Sequence, residues 1–147
     1  MSPSYDSDNI FARILRHEIP CISVYEDDQT LAFMDIMPQT DGHVLVIPKE
    51  AAATIYDLSE AAALACMKTV QLVGKGVQHA MDTSGSTVFQ HNGKAAGQTV
   101  PHFHFHVLPG SLLGLKGHAV EMGDTAVLQR NAQKIINSIE QLRGKQL

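Results

Sequence analysis

Apolar residues recur along two long segments at steps of three and four, the spacing that places them on one side of a helix. The first segment predicts a helix that begins after Asp57 or Ser59 and ends near Met81, and the second predicts a helix over residues 124–143. The predicted apolar positions of the two helices are Ala63, Met67, Val70, Gly74, Val77 and Met81, and Leu128, Ala132, Ile135, Ile139 and Leu142.

Shorter apolar segments predict strands between the helices. Residues 23–27 and 30–34, separated by Asp28-Gln29, are typical of a hairpin. Residues 43–47 are apolar and β-branched, and they predict a buried strand that ends at Pro48, while residues 86–90 predict a further strand. A short helix is expected over residues 9–16, with Asn9 or Asp8 as its cap. The expected fold class is α+β, with about five mostly antiparallel strands and helices against one face.

Composition adds limits to this picture. A chain of 147 residues is long enough for one domain with a real core. We expect residues 1–8 to form a flexible N-terminus and residues 9–147 to form a single domain that includes the C-terminal helix. The net charge of −4, with no basic run, gives no reason to expect nucleic acid or a membrane surface as a partner.

Cysteine usage and hydropathy bear on the location of the protein. Cys21 and Cys66 are far apart in sequence and form no Cys-x-x-Cys pair, so reduced thiols and a cytoplasmic location are expected. The start of the chain has no basic segment followed by an apolar one, so we predict no signal peptide. No apolar window reaches the length of a membrane span.

The segment with the clearest chemistry reads His102-Phe103-His104-Phe105-His106. Side chains of an extended chain alternate between two faces, so the three imidazoles are predicted to share one face and the phenylalanines the other. Imidazole gains or loses a proton near neutral pH, which favours a reaction surface. A purely structural role would require a partner for every buried ring nitrogen.

A metal site is the other alternative. Histidine is a common zinc ligand, but the outer two Cα atoms of the run lie about 13–14 Å apart in a regular strand. All three imidazoles therefore cannot reach one ion without a bulge or bend. Two of them could share a metal with a residue from elsewhere in the chain.

The run, preceded by Gly97-Gln98, resembles the signature of the histidine triad (HIT) superfamily, and in particular its nucleoside phosphoramidase branch. The resemblance extends to upstream blocks and covers roughly residues 9–109. Those blocks are Ile19-Pro20, residues 24–27, residues 31–36 and residues 42–49.

The resemblance implies the HIT-like fold and hydrolysis at the α-phosphorus of a nucleoside phosphoramidate or adenylyl conjugate through a covalent nucleotidyl-histidine. His104 would be the nucleophile, because a neutral imidazole keeps one lone pair for phosphorus while its other nitrogen is held as N–H. His106 would donate to phosphoryl oxygens, and His102 would lie near the leaving group. His43 matches a further family histidine. The division of proton transfer among His43, His102 and His106 stays open.

The resemblance also implies a nucleotide pocket. Asp35 matches the carboxylate that accepts from ribose hydroxyls, a role suited to its two oxygens. The apolar slot for the base would comprise Ile10, Phe11, Ile14, Phe33 and Ile36, although plain core packing explains each of these residues as well. The phosphate side would comprise His91, Asn92, Gly97, Gln98 and Thr99.

Zinc-bearing relatives hold the ion partly with an N-terminal Cys-x-x-Cys pair. Asn9 and Ala12 occupy those positions here, so we predict no metal and no cofactor. The resemblance further implies a homodimer whose two sheets join edge to edge.

Three other functions compete with the phosphoramidase hypothesis. Within the enzymes, the alternative is a dinucleoside polyphosphate hydrolase. From other classes, the alternatives are a nucleotide-binding adaptor and a histidine metal-binding module.

Overall fold

One open antiparallel sheet forms the centre of the computed structural model, which describes residues 4–113 and 121–144. Within these residues the strands are β1 (Ser23–Glu26), β2 (Thr30–Met34), β3 (Val44–Pro48), β4 (Ser86–Phe89) and β5 (Phe105–Pro109), in the spatial order β1-β2-β3-β5-β4. The helices are α1 (Ile10–Leu15), α2 (Glu60–Ala80) and α3 (Thr125–Gly144), and Lys94–Ala96 form a 3₁₀ turn. The predicted α+β class is confirmed.

The position of β5 between β3 and β4 determines how the chain must connect these strands. Because β5 is antiparallel to both neighbours, β3 and β4 run in the same direction. Strands of the same direction need a long crossover, and α2 supplies it. The Ser59 hydroxyl caps this helix by accepting a hydrogen bond from the Ala62 amide at 3.1 Å. Within the described ranges, none of the helices combines the length and the apolarity that a bilayer-spanning segment requires.

Helices α2 and α3 pack together on one face of the sheet and form the larger core. The predicted apolar face of α3 is largely correct, since Leu128, Ala132, Ile135 and Ile139 are buried. The predicted face of α2 is wrong in part, because Met67 is 46% exposed. Small side chains are distributed around α2, so apolar spacing alone does not distinguish neighbouring faces of this helix. Its buried residues are Ala62, Ala65, Cys66, Thr69, Val70, Val73, Gly74, Gly76 and Val77.

Close contact between the two long helices requires a glycine at position 76. A Cβ atom placed there would lie 2.7 Å from Cγ1 of Ile139 on α3, which is closer than real Cβ contacts. The glycine therefore lowers the intrinsic helix propensity of α2 but permits the two helices to approach.

The opposite face of the sheet is covered by α1, which corrects the expectation that the helices lie against one face. Its buried cluster consists of Phe11, Ile14, Leu31, Phe33, Leu45 and Ile47. Asn9 begins α1 by accepting a hydrogen bond from the Ala12 amide at 2.9 Å. His106 on β5 is paired with Leu45 on β3, so its side chain lies on this face, whereas Val107 belongs to the larger core.

Candidate active site

Four histidines gather on the face of the sheet that α1 covers. His43 directly precedes β3, His102 and His104 precede β5, and His106 is the second residue of β5. The ring centroids of His104 and His106 are 4.9 Å apart, and those of His43 and His106 are 5.2 Å apart. The fold therefore brings the imidazole of His43 together with those of the histidine run.

The histidine run is only partly a strand, since β5 begins at Phe105 and not at His102. The amide of Phe103 donates to the carbonyl of Ala52 at 2.8 Å, beyond the end of β3, so this part of the run pairs with a loop. The predicted alternation is still visible, because the rings of Phe103 and Phe105 pack edge to face at 5.2 Å on the side away from the histidines.

His104 is held in one tautomer. Its Nδ1 lies 2.6 Å from the carbonyl oxygen of His102, which can only accept, so Nδ1 carries the hydrogen and Nε2 keeps a lone pair. Burial, together with the neighbouring His102 and His91, lowers the pKa of His104 to about 4. The side chain is 6% exposed, and the ring of Phe11 packs edge to face against it at 4.9 Å. A neutral imidazole with a defined lone pair can act as a nucleophile near neutral pH.

His102 is completely buried, and both of its ring nitrogens have partners. Nε2 donates to the carbonyl of Pro48 at 2.8 Å, and Nδ1 lies 2.5 Å from the hydroxyl of Tyr5. Burial lowers the pKa of His102, so the ring is neutral and Nδ1 accepts from Tyr5. Asn9 in turn donates to the Tyr5 oxygen at 2.9 Å. These contacts anchor the His102 ring, and its place beside a leaving group stays a prediction.

His43 and His106 form a directed hydrogen-bonded pair. The amide of Gln39 donates to Nδ1 of His43 at 3.2 Å, so the His43 hydrogen is on Nε2. Nε2 donates to Nδ1 of His106 at 2.9 Å, which places the His106 hydrogen on its own Nε2. Burial and the neighbouring His104 lower the pKa of His43 to about 4. The His106 ring also stacks on Phe89 at 4.4 Å with 9° between the planes.

Asp35 lies at the edge of this pair. One of its oxygens is 3.4 Å from Nε2 of His43, and the other accepts from the Met37 amide at 2.9 Å. Burial raises the pKa of Asp35. The ligand atoms of Asp35, His43 and His106 lie within 4.8 Å of one another, and carboxylate and imidazole are ligands that zinc accepts. An ion at these atoms would have to replace the hydrogen bond between the two histidines.

The apolar residues predicted for the base slot separate into two groups. Phe11, Ile14 and Phe33 are buried together, and the two phenylalanine rings pack edge to face at 5.4 Å. Ile10 and Ile36 are 52% and 49% exposed. The first group adjoins the histidines through the contact between Phe11 and His104, and the second is half-exposed to solvent.

Gln98 ties the predicted phosphate loop to its surroundings. Its Oε1 accepts from the Gly93 amide at 2.7 Å, and its Nε2 donates to the Ala53 carbonyl at 2.7 Å. Gly97 has a φ of 101°, a left-handed conformation that glycine adopts readily, and Thr99 is exposed. The Gln98 side chain therefore stabilises the predicted phosphate loop, and Gly97 allows the chain to turn there.

Asn92 also bonds within the protein. Its Oδ1 accepts from the Ile55 amide at 2.8 Å and from the Gln90 side chain at 2.6 Å. His91 is half-buried, with its ring 5.3 Å from that of Phe89. The His91 ring also lies 6.0 Å from that of His106, which places His91 beside the histidine cluster.

Several residues of the site carry no recognisable sequence signal. Tyr5 lies in the stretch expected to be flexible, and Asn9 was expected only as a helix cap. Gln39 and Pro48 contribute backbone groups, which no side-chain pattern reveals. The alternation of β4 predicts only that Phe89 lies on one face of the strand, and it does not predict that its ring stacks on His106.

Comparison with known proteins agrees with this architecture. The family model described as the HIT domain matches residues 16–112. An adenosine 5'-monophosphoramidase of Schizosaccharomyces pombe is 43% identical over 100 residues, which are 68% of this chain and 72% of the relative. An adenylylsulfatase of Arabidopsis thaliana is 33% identical over 108 residues, covering 74% of this chain and 55% of that protein.

Solved structures show the same relationship. The crystal structure of a HIT-like protein from Bartonella henselae superimposes with a TM-score of 0.82 and 43% identity, covering 92% of this chain and 99% of that one. The chain belongs to the HIT family.

Proposed function

We propose that this protein hydrolyses nucleoside phosphoramidates or adenylyl conjugates at the α-phosphorus, with His104 as the covalent nucleophile. The observation that carries the proposal is the hydrogen bond from Nδ1 of His104 to the carbonyl of His102, which leaves Nε2 with its lone pair. The lowered pKa keeps that lone pair available at neutral pH. The names of the fission yeast and Arabidopsis relatives support the same reaction class.

The reaction has two displacements. In the first, Nε2 of His104 attacks the α-phosphorus, the P–N bond of a phosphoramidate or the P–O bond of a conjugate breaks, and the leaving group takes up a proton. In the second, water attacks the phosphorus and the bond to Nε2 breaks; one hydrogen of the water leaves on nucleoside monophosphate, and its other proton balances the one that the leaving group took up. His104 regains its lone pair and is unchanged over the cycle.

His106 is the residue we assign to the phosphoryl oxygens. The relay from the Gln39 amide through His43 leaves a hydrogen on Nε2 of His106, and His106 lies next to His104. A donor oriented before the substrate arrives stabilises the charge that develops on phosphoryl oxygens. His43 acts by orienting this donor, and Asp35 remains our candidate for the ribose hydroxyls.

The base is proposed to bind beside Phe11, Ile14 and Phe33, with Ile36 at the rim. Edge-to-face contacts between Phe11, Phe33 and His104 form an aromatic wall next to the nucleophile. The loop that contains His91, Asn92, Gly97, Gln98 and Thr99 would adjoin the phosphate, with backbone amides rather than the Gln98 side chain as donors.

Assembly and location stay predictions. We propose a homodimer joined through a sheet edge, because pairing two edges satisfies the exposed strand donors and acceptors. Strand β4 is one edge of the sheet, and its Val88 is 44% exposed. A cytoplasmic location is part of the same proposal. Sedimentation of the native protein as a 16.0 kDa monomer would contradict the dimer.

The decisive experiment is to trap the intermediate. Rapid quenching in alkaline denaturant during turnover of adenosine phosphoramidate, followed by peptide mass spectrometry without acid, should place an adenylyl group on His104, because the P–N bond to an imidazole is stable in alkali and labile in acid. Diadenosine triphosphate, assayed in parallel, distinguishes a polyphosphate hydrolase by a higher kcat/KM. Nucleotide binding without turnover of either compound would favour an adaptor, and chelator-sensitive activity with bound zinc would favour a metal module.

A further inference from the structure

Tyr5 contributes a side-chain hydrogen bond to one of the four histidines. Its hydroxyl lies 2.5 Å from Nδ1 of His102, 97 positions away along the chain, and the two rings pack edge to face at 5.7 Å. Asn9 is 5% exposed and donates to the same hydroxyl at 2.9 Å. The start of the chain is thereby attached to the histidine cluster.

Every hydrogen in this network has one consistent position. The Pro48 carbonyl can only accept, so His102 carries its hydrogen on Nε2. Its buried Nδ1 must then accept, and Tyr5 is the donor. The Asn9 amide group donates to the Tyr5 oxygen, which completes the chain. Removal of the Tyr5 hydroxyl would leave a buried acceptor on His102 without a donor.

The network leads to the proposed nucleophile through one more hydrogen bond. The backbone carbonyl of His102 accepts from Nδ1 of His104 at 2.6 Å. His102 is fully buried, its ring is hydrogen-bonded to Tyr5 and Pro48, and its backbone amide donates to the Val100 carbonyl at 2.8 Å, so both the side chain and the backbone of the residue are held. A shift of His102 after loss of the Tyr5 contact would move the carbonyl that orients His104.

We propose that Tyr5 is a positioning residue: held by Asn9, it fixes the tautomer and ring position of His102, whose carbonyl orients His104 for attack on phosphorus. The inference depends on the proposed function for its kinetic part only. The tautomer of His102 is a property of the free protein and can be measured without any substrate.

The test compares Tyr5→Phe with Tyr25→Phe. Tyr25 is the matched control because its hydroxyl also donates a hydrogen bond, to Asp27 at 2.9 Å, while its ring packs from edge strand β1 against the larger core and not against the histidines. Tyr5→Phe keeps the ring and is expected to fold, which circular dichroism verifies. We expect kcat on adenosine phosphoramidate to fall about tenfold, because the lost hydrogen bond holds His102, which orients the nucleophile His104. KM should stay within about twofold, because Tyr5 is not assigned to substrate binding. Tyr25→Phe should leave both values unchanged.

A second variant acts one step further along the network. Asn9→Asp keeps the oxygen that caps α1 but replaces the group that donates to Tyr5 and to the Asp6 carbonyl by an acceptor, which competes with His102 for the Tyr5 hydrogen, so a fall in kcat is expected. Nitrogen NMR of the imidazoles gives the readout that is independent of activity. In the native protein, His102 should be protonated on Nε2 and His104 on Nδ1. Tyr5→Phe should shift the His102 Nδ1 resonance, whereas Tyr25→Phe should not.

The outcomes separate this inference from the proposed function. Unchanged imidazole resonances in Tyr5→Phe would overturn the positioning role, and so would equal losses of kcat in Tyr5→Phe and Tyr25→Phe. Failure of the native protein to form an adenylyl-His104 intermediate would overturn the proposed function instead. The NMR comparison would still decide whether Tyr5 holds His102.

Discussion

The two faces of the sheet bury their side chains in different ways. On the face that α2 and α3 cover, the strands contribute side chains such as Val44, Val46 and Val107, which are buried without any polar atom. On the face that α1 covers, the same strands and their flanking residues contribute His43 and His106. The buried imidazoles there are oriented by hydrogen bonds at their ring nitrogens, so the face depends on directed hydrogen bonds.

The difference assigns separate tasks to adjacent residues. Val107 and His106 are neighbours on β5, yet Val107 is completely buried under two long helices while His106 is half-buried beside a helix of six residues. We infer that the first face supplies most of the stability and the second holds the chemistry. Substitutions on the two faces should therefore affect different measurements.

The largest effect is expected from His104→Ala. Loss of the proposed nucleophile should lower kcat by about 10⁴-fold or more, because no other group in the site replaces a covalent step. His17→Asn is the control, since His17 is exposed and has a φ of 62°, a conformation that asparagine tolerates. Initial rates on adenosine phosphoramidate provide the comparison. A His104→Ala protein that retained more than about 1% of the native rate would contradict the proposed role.

The second prediction concerns pH. Burial lowers the pKa of both His43 and His104 to about 4, so both are neutral throughout the range in which an ordinary histidine titrates. The rate should stay level from pH 8 to about 5 and fall by half near pH 4. A fall centred at pH 6.5 would contradict a neutral buried nucleophile.

The same two groups link stability to pH. Because their pKa is lower in the folded state than in the unfolded state, the unfolded chain binds more protons below pH 6.5. The free energy of unfolding that these two histidines contribute should be fully present above pH 6.5. It should decrease as the pH falls toward 4, by up to about 3 kcal/mol for each histidine. Urea denaturation at a series of pH values measures this decrease, and His104→Ala should show about half of it.

Local signals in the sequence were sufficient for most elements of the fold. The hairpin of β1 and β2, the Ser59 cap and the ends of α2 and α3 agree with the structure to within one or two residues. The strand order was not predictable in this way, because the placement of β5 between β3 and β4 depends on pairing between distant segments. The buried face of α2 was wrong in part for a related reason, since tertiary contact with α3 selects among several apolar faces.

The sequence predicted the histidines of the candidate site but not the hydrogen bonds that orient them. Alternation in the histidine run anticipated imidazoles on one face, and resemblance added His43 from 63 positions away. The hydrogen bonds that determine each tautomer could not be anticipated, because they involve backbone groups such as the Pro48 carbonyl and a side chain from the first few residues, Tyr5. Sequence patterns identify reactive residues more readily than the contacts that orient them.

The smallest effect is expected on the apolar face, from two buried glycines of α2. A Cβ atom at Gly76 would meet Ile139 at 2.7 Å, whereas one at Gly74 would lie 3.9 Å from Val107, an ordinary contact. Gly76→Ala should therefore destabilise the protein by about 1–2 kcal/mol through overpacking. Gly74→Ala should stabilise it by up to about 1 kcal/mol, because alanine favours the helix and loses less conformational entropy on folding.

Urea denaturation compares the two glycine variants, and kcat is measured for both. Neither residue contacts the histidine face, so kcat should stay within about twofold of the native value in each. Equal stability of Gly76→Ala and Gly74→Ala would show that α2 and α3 can separate without cost. A fall in kcat that followed the loss of stability would show that the two faces are coupled, and it would contradict the division of tasks between Val107 and His106.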